Sequence, residues 1–595
     1  MRYGVIGNCK SAALVDPRGT IVWCCLPDFD SASVFAFLLD ERRGGSFGIE
    51  TDDSYTVTQS YLPNTNVLRT VYESPAGGFE LIDLMPRHKE DKRYYAPPEV
   101  LRQLRRLHGR PVLTVRYDPK LGYAHHATHS ASHGGYIKST VRNGAYESLY
   151  LYTNLPHASI LEGLPIELGD EAFLLLSYHQ KIRPVTLDRV ALEVERTKVY
   201  WMDWVGRTTP FDRWSKEVRR SALVLKLLSY QETGAIMAAV TTSLPEAVGE
   251  ERNWDYRFCW IRDAAMTLSM LTRLGHLNVA ENFFSYLLRV VPYKDDEIQV
   301  MYGIRGNKNL AERTLDWLEG YRGSRPVRVG NAAYTQRQHD IYGVLLNAIL
   351  RYLEVYPIDE ATGERLWTIT RSVMRTVMRT WRLPDVSIWE YRTNPGHFTF
   401  SKLLCWVALD RGVKIAANLG QEAQTAPWAC ERERIREDIL TNAWSGSAGA
   451  FTQRYGSESL DASVLLMASY GFLEPDDPRF VSTVRSIYRE LSQDGLMYRY
   501  KNDDDFGTPT SSFTVCSFWM VKALWQIGEH GEAERMFERL LGYANPLGLF
   551  SEDLDFKTKA LLGNFPQGYS HLAVIDCAIL LGGMRTNGTA GPGRL

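Results

Sequence analysis

Two glutamates and one short motif could carry chemistry in this chain. Glu390 lies in Ser387-Ile-Trp-Glu-Tyr-Arg392, and Glu552 in Gly548-Leu-Phe-Ser-Glu-Asp-Leu-Asp555. Both segments read as loops between helices, with aromatic or apolar flanks. Such neighbours raise a carboxyl pKa by desolvation, as a general acid near neutral pH requires. Hydrolysis of a glycosidic bond needs two carboxyl groups, one donating to the leaving oxygen and one handling water. Taken singly, each glutamate reads first as a structural carboxylate. The motif is Arg252-Asn-Trp-Asp-Tyr-Arg-Phe-Cys-Trp-Ile-Arg-Asp263, with four aromatics, three arginines and two aspartates in twelve residues. It runs into the apolar Ala264-Ala-Met-Thr-Leu-Ser-Met. Rings at the mouth of a helix can stack on the C–H faces of a sugar, and Arg/Asp pairs can bond its hydroxyls.

Other segments read more plainly. Pro326-Val-Arg-Val-Gly-Asn-Ala-Ala-Tyr-Thr-Gln336 is first a surface loop, although its charge and amides would also suit a ligand. In Gly563-Asn-Phe-Pro-Gln-Gly-Tyr-Ser-His571, Ser570 or Asn564 is as well placed to cap the last helix as to meet a ligand. His125, His126, His129 and His133 form a solvated stretch with no carboxylate or cysteine to complete a metal site. Gly-rich phosphate loops and the GxSxG elbow are absent.

The elements that must position these groups fall into two sorts. Residues 1–190 read as short strands punctuated by Gly, Pro, Asp and Asn, for example 20–25, 67–72, 78–83 and 148–152, which argues a β-sandwich. Residues 191–230 form a helical linker. Residues 231–585 read as helix after helix: 264–274, 279–290, 338–352, 364–381, 400–419, 459–470, 478–491, 511–527, 531–541 and 570–581. Helical hairpins with alternating long and short loops would gather the long loops at one end. The Gly-rich tail 586–595 reads as flexible. At 595 residues the chain is long enough for two full cores. A net charge of −2 points to neither nucleic acid nor an anionic membrane as partner. The eight cysteines are sparse and lie mostly in apolar runs, so buried free thiols and a cytoplasmic location are expected. A homodimer is compatible with the sequence, which fixes no oligomeric state.

The motifs carry a resemblance. Thr241-Thr-Ser-Leu-Pro-Glu246 followed by Asn253–Asp263 resembles the central signature of glycoside hydrolase family 15, which contains glucoamylases, glucodextranases and bacterial-type trehalases. Collinear matches follow at Tyr302-Gly303, Gly320–Asn331, Ile388–Arg392, Phe398–Lys402 with Trp406–Arg411, and Gly563–Gln567 with Ser570-His571. The start, Ile6-Gly-Asn through Leu26-Pro-Asp-Phe-Asp-Ser31, is similar to the family's trehalase-type N-terminal β domain. The resemblance covers nearly the whole chain. It implies a β-sandwich, a helical linker and an (α/α)6 barrel. It implies exo-acting, inverting hydrolysis of an α-glucoside, with β-glucose released from a non-reducing end. Glu390 matches the general acid and Glu552 the general base, a pair expected about 6.5–9.5 Å apart. Arg262 and Asp263 match the grip on the terminal glucose, and Tyr256, Trp260, Trp389 and Tyr569 match aromatics around it. The partner implied is a small carbohydrate, and no metal or organic cofactor is required.

This chain departs from the family at three places. Thr510-Ser-Ser-Phe513 stands where an acidic segment is usual, Gln567-Gly-Tyr-Ser-His571 replaces Gln-Ala-Phe-Ser-His, and Tyr391 replaces the commoner Val. Trehalose is the expected substrate. Short α-1,4 or α-1,6 gluco-oligosaccharides are the alternative, with a phosphorylase or a catalytically inactive sugar-binding protein further off.

Overall fold

Alternating and continuous apolar runs in the first half-domain pair into two antiparallel sheets. The computed structural model describes residues 1–91, 93–291 and 298–584. One sheet orders Gly4–Gly7, Ala12–Val15, Ile21–Cys25, Phe47–Glu50, Val112–Tyr117 and Ile166–Glu167, with Ser33–Phe35 against Ile21–Cys25. The other runs Thr128–Ser132, Ile137–Val141, Ser148–Thr153, Glu171–Tyr178, Glu99–Gly109, Gly77–Leu84, Leu68–Glu73 and Thr56–Tyr61. Ile6, Ile21 and Phe47 of the first sheet share one apolar core with Leu68, Phe79 and Leu174 of the second. His129 lies in a strand, and the His125 ring packs 4.2 Å from Trp317, so the histidine stretch is partly ordered structure rather than a bare loop.

Helices follow: α1 His157–Glu162, α2 Leu187–Gly206, α3 Ser215–Leu227, α4 Ile261–Arg273, α5 Leu277–Val290, α6 Asp340–Val355, α7 Glu360–Thr380, α8 Thr399–Asn418, α9 Ala426–Asn442, α10 Pro478–Leu491, α11 Thr514–Gln526, α12 His530–Leu541 and α13 Gly568–Leu580. Packing separates them into two kinds. Helices α8, α11 and α13 bury residues on every face, as core helices do, whereas α10 and α12 bury one stripe. Contacts run from α4 to α6, α6 to α8, α8 to the 3-10 turn Ala462–Leu466, that turn to α11, α11 to α13, and α13 back to α4. Helix α3 lies along α13.

Two expectations change. The apolar run 459–470 forms only the 3-10 turn Ala462–Leu466, capped by Asp461, whose carboxylate accepts from the Ser463 N–H and hydroxyl. Helix α9 was not foreseen. Its Glu/Arg-rich sequence buries only Trp428, Glu431, Ile435 and Ile439. All eight cysteines are free thiols. Seven are buried, and Cys430, on α9, is exposed. The tail 586–595 lies outside the described residues. Among the described residues no helix is long and apolar enough to cross a membrane.

Helix ends differ by location. Thr186, Asp359 and Asp477 cap α2, α7 and α10 with side-chain oxygens. No side chain caps α4, α6, α8, α11 or α13. Residues at the starts of α4, α11 and α13 line one pocket, so these helices turn their positive dipole ends toward it.

Candidate active site

The pocket draws its walls from segments far apart in the chain. Tyr256, Trp260, Arg262 and Asp263 come from the twelve-residue motif and the start of α4, Trp389 and Glu390 from the loop after α7, and Tyr569 from α13. Seven of the eight candidate residues therefore face one cavity. The eighth, Glu552, is 1 % exposed and stands behind Tyr256, whose hydroxyl donates to Glu552 Oε1 at 2.5 Å.

Glu390 is held by an unusual backbone. Its φ is 61° and that of Ser387 is 66°, in the left-handed region that costs a residue with a Cβ about 1–2 kcal/mol. Such outliers gather at sites whose surroundings over-determine them. Here the Glu390 N–H donates to Ser387 O, and the Tyr391 N–H to Val386 O. The result is a tight loop that aims the carboxyl into the pocket with its side chain 25 % exposed. Trp260 Nε1–H donates to Glu390 Oε1 at 2.9 Å, and Arg262 Nη2 stands 3.9 Å from the same oxygen. Burial pushes the Glu390 carboxyl up, while Arg262, Trp260 and Gln338 act the other way.

Glu552 sits between a small sheet and the last helix. Strand Asp553–Leu554 pairs with Ser512–Phe513 on one side and Leu561–Leu562 on the other. The Thr514 N–H that opens α11 donates to Glu552 O at 2.9 Å. Both carboxylate oxygens accept hydrogen bonds: Oε1 from Tyr256 and Oε2 from the Asn564 N–H at 3.2 Å. Gly563 is needed beside it. Its φ is +71°, and a Cβ there would lie 2.6 Å from Glu552 Oε2. Burial and then the Glu246 carboxylate push Glu552 up to about 8, against Tyr256, Asn564 and Arg499. The adjacent Asp553 is raised as well, by burial and by Glu246 and Glu552. Its Oδ1 accepts from Ser511 Oγ, while Oδ2 has no hydrogen-bond partner. Of these two coupled acids, Glu552 has more donors for its anion, so Asp553 retains the proton more tightly.

The Arg262–Asp263 pair is built from buried charge. Arg262 Nε lies 3.3 Å from Asp263 Oδ2 and its Nη1 3.3 Å from Asp340 Oδ2. Tyr569 is 5 % exposed, lines the pocket, and its hydroxyl has no hydrogen-bond partner among the described residues. Trp389 is fixed by donating from Nε1 to Asp461 Oδ2 at 2.8 Å, with its ring against Tyr500 and Phe513. Arg257 is not a sugar ligand. It forks onto Asp255 at 2.7–2.8 Å and reaches Ser31 O at 2.9 Å, tying the motif to the N-terminal sheets.

Several pocket residues escaped sequence reasoning. Glu246, Arg252, Arg499 and Asp504 form a buried ionic wall, with Arg499 2.9 Å from Glu246 and Arg252 2.7 Å from Asp504. Only Glu246 and Arg252 lay inside quoted motifs. The loop 326–336 is no ordinary surface loop, since Asn331, Ala333 and Gln336 line the pocket and Arg328 is buried. Neither Ser570 nor Asn564 caps α13. The Ser570 hydroxyl donates to Ser551 O, and Asn564 bonds Thr241 and Trp254. Tyr391, beside the acid, stacks on Phe398 and Tyr500. Thr510, where an acid is usual, donates to Glu250 at 3.3 Å. Among the described residues no three His, Cys, Asp or Glu side chains gather as a metal site.

Comparison with known proteins identifies the family. The family model "Glycosyl hydrolases family 15" matches residues 215–579, and "Trehalase-like, N-terminal" matches 1–141. The trehalase of Mycobacterium tuberculosis (strain ATCC 25618 / H37Rv) is 38% identical over 97% of this chain and 88% of its own length. The trehalase of Thermoplasma volcanium is 35% identical over 97% of this chain and 92% of its own. Among solved structures, a bacterial glucoamylase complexed with acarbose superposes with a TM-score of 0.71 at 13% identity, over 97% of this chain and 93% of that one, a likeness of fold. The chain belongs to glycosyl hydrolases family 15 and is a glycoside hydrolase, as its motifs led one to expect.

Proposed function

We propose, with membership of glycosyl hydrolases family 15 as the premise, that this protein is an exo-acting, inverting trehalase. The observation that carries the substrate is the run of relatives named trehalase, 30% to 38% identical over at least 95% of this chain. On this reading the two N-terminal sheets are a β-sandwich spanning about residues 1–190, and 191–230 link it to an (α/α)6 barrel. The closed run of contacts α4, α6, α8, Ala462–Leu466, α11, α13 supports the barrel as its inner ring.

The chemistry follows from the two carboxyl environments. Glu390 is the general acid, donating its proton to the glycosidic oxygen as the C–O bond breaks. Glu552 is the general base. It takes a proton from a water held near the Tyr256 hydroxyl while that water attacks the anomeric carbon from the opposite face. Arg262 and Asp263 hold hydroxyls of the terminal glucose, and Tyr256, Trp260, Trp389 and Tyr569 shape its pocket. The reaction so written uses no cofactor.

The test is proton NMR of trehalose hydrolysis at early times. Inversion at one of two α-linked anomeric carbons yields equal α- and β-glucose before mutarotation. Initial α-glucose alone would exclude inversion, and release of glucose from maltose or isomaltose but not trehalose would exclude the substrate.

A further inference from the structure

Two amides connect the sugar grip to the acid, and neither has a part in the mechanism above. Arg262 Nη1 donates to Gln338 Oε1 at 3.4 Å. Gln338 Nε2 donates to Gln336 Oε1 at 2.9 Å. Gln336 Nε2 donates to the backbone oxygens of Glu390 at 3.1 Å and Tyr391 at 3.4 Å. The chain begins at a guanidinium, which only donates, and ends at carbonyls, which only accept. That polarity determines which way both amides point, since flipping either one sets donor against donor or acceptor against acceptor.

The far end of the chain is the strained residue itself. Glu390 lies at φ 61°, and the peptide oxygens that follow it are the ones Gln336 grips. The adjacent Val386 N–H also reaches Arg337 O at 3.4 Å, so the 336–338 segment straps the acid loop at two places. Gln338 is 1 % exposed, and Gln336 lines the pocket.

We propose that Gln336 and Gln338 are positioning residues that hold the Glu390 backbone in its left-handed conformation and tie that conformation to the Arg262 grip. This inference rests on Glu390 being the general acid. The relay acts on proton donation to the leaving group and not on water attack, because its contacts are all on the acid's side of the site.

The test exploits leaving groups. A sugar hydroxyl must be protonated to depart, whereas fluoride leaves as a stable anion. Gln336→Met removes the relay. Gln336→Glu keeps the shape but sets a carboxylate oxygen against the Glu390 carbonyl. Each is assayed on trehalose and on α-D-glucosyl fluoride, beside Gln338→Met. The expected result is a fall of about 10-fold or more in kcat on trehalose, with glucosyl fluoride turnover within about 3-fold of wild type. The trehalose KM stays near wild type for both Gln336 variants. A parallel loss on both substrates, or no loss on either, overturns the relay. Should Gln336→Met not fold, the isosteric Gln336→Glu decides. A wild-type enzyme inactive on both substrates would instead overturn the proposed function.

Discussion

Replacing Tyr256 by Phe removes one hydrogen atom donor from the base and little else. The Phe ring keeps its place in the pocket wall and its edge-on contact with Trp260, whose centroid is 5.3 Å away. What is lost is the 2.5 Å hydrogen bond to Glu552 Oε1. A hydrogen bond to a charged group contributes about 1.5–3 kcal/mol. At about 1.4 kcal/mol per pKa unit, that is a shift of about 1–2 units. The sign follows from which form the bond favours. Tyr256 donates to the ionised carboxylate, so its loss raises the Glu552 pKa further above the value near 8 that burial and Glu246 set. Glu552 must be ionised to take a proton from water, so the acidic limb of kcat/KM moves to higher pH. Below that limb kcat/KM on trehalose falls about 10- to 100-fold, and the gap to wild type narrows as pH rises. The assay is glucose release across about pH 5 to about 10, fitted for limb positions. A uniform loss with an unmoved limb would mean that the hydroxyl serves only the sugar, and a limb displaced to lower pH would refute the electrostatic argument.

Other perturbations follow from the same geometry. Glu552→Gln should abolish trehalose turnover yet stabilise the fold. Burial and Glu246 push the native carboxyl up to about 8 from an ordinary 4.5, so wild type loses stability as pH rises between those values. The thermal-melting advantage of the variant should therefore grow from about pH 4.5 to about pH 8 and then level off; an advantage that shrinks over that range would contradict the burial of the charge. Gly563→Ala places a Cβ 2.6 Å from Glu552 Oε2 at a φ of +71°, so kcat should fall about 10-fold or more, while unchanged kinetics would show that the base is free to move. Arg257→Met leaves Asp255, itself fully buried, without its forked partner. A loss of about 3–5 kcal/mol in denaturant unfolding is expected, and a loss under about 1 kcal/mol would show that water or another group replaces the guanidinium.

Much of the architecture was legible because burial leaves a periodic trace. Strands such as Gly77–Leu84 and helices such as α10 and α12 fall within a few residues of their expected bounds, since each has one continuous apolar face or run. Helix α9 left almost no trace, for its buried stripe is only four side chains, one of them Glu431, in a helix with seven charged residues. The 459–470 run left a false one. Its residues are apolar because they are buried, yet only Ala462–Leu466 coil, as a short 3-10 turn capped by Asp461. The site divides in the same way. Residues inside one motif announced themselves by density of rings and charges. The ionic wall did not, because Glu246 and Arg499 meet across more than 250 residues and neither has a local pattern that requires the other.

The twelve-residue motif does more than line the pocket. Tyr256 and Trp260, four residues apart, each spend their one polar hydrogen on a different glutamate: Tyr256 on Glu552 and Trp260 on Glu390. Their rings touch edge to face, so the two carboxyl groups are joined through a single rigid pair of aromatics. A loop that served only to stack on glucose would not need both polar atoms turned to acids. Their direction also separates the roles. Both oxygens of Glu552 accept hydrogen bonds, which suits an anion. Glu390 accepts on Oε1 from Trp260. The strained backbone that presents Glu390 and the Gly563 that makes room for Glu552 then act together, placing two buried acids on either side of one ring pair.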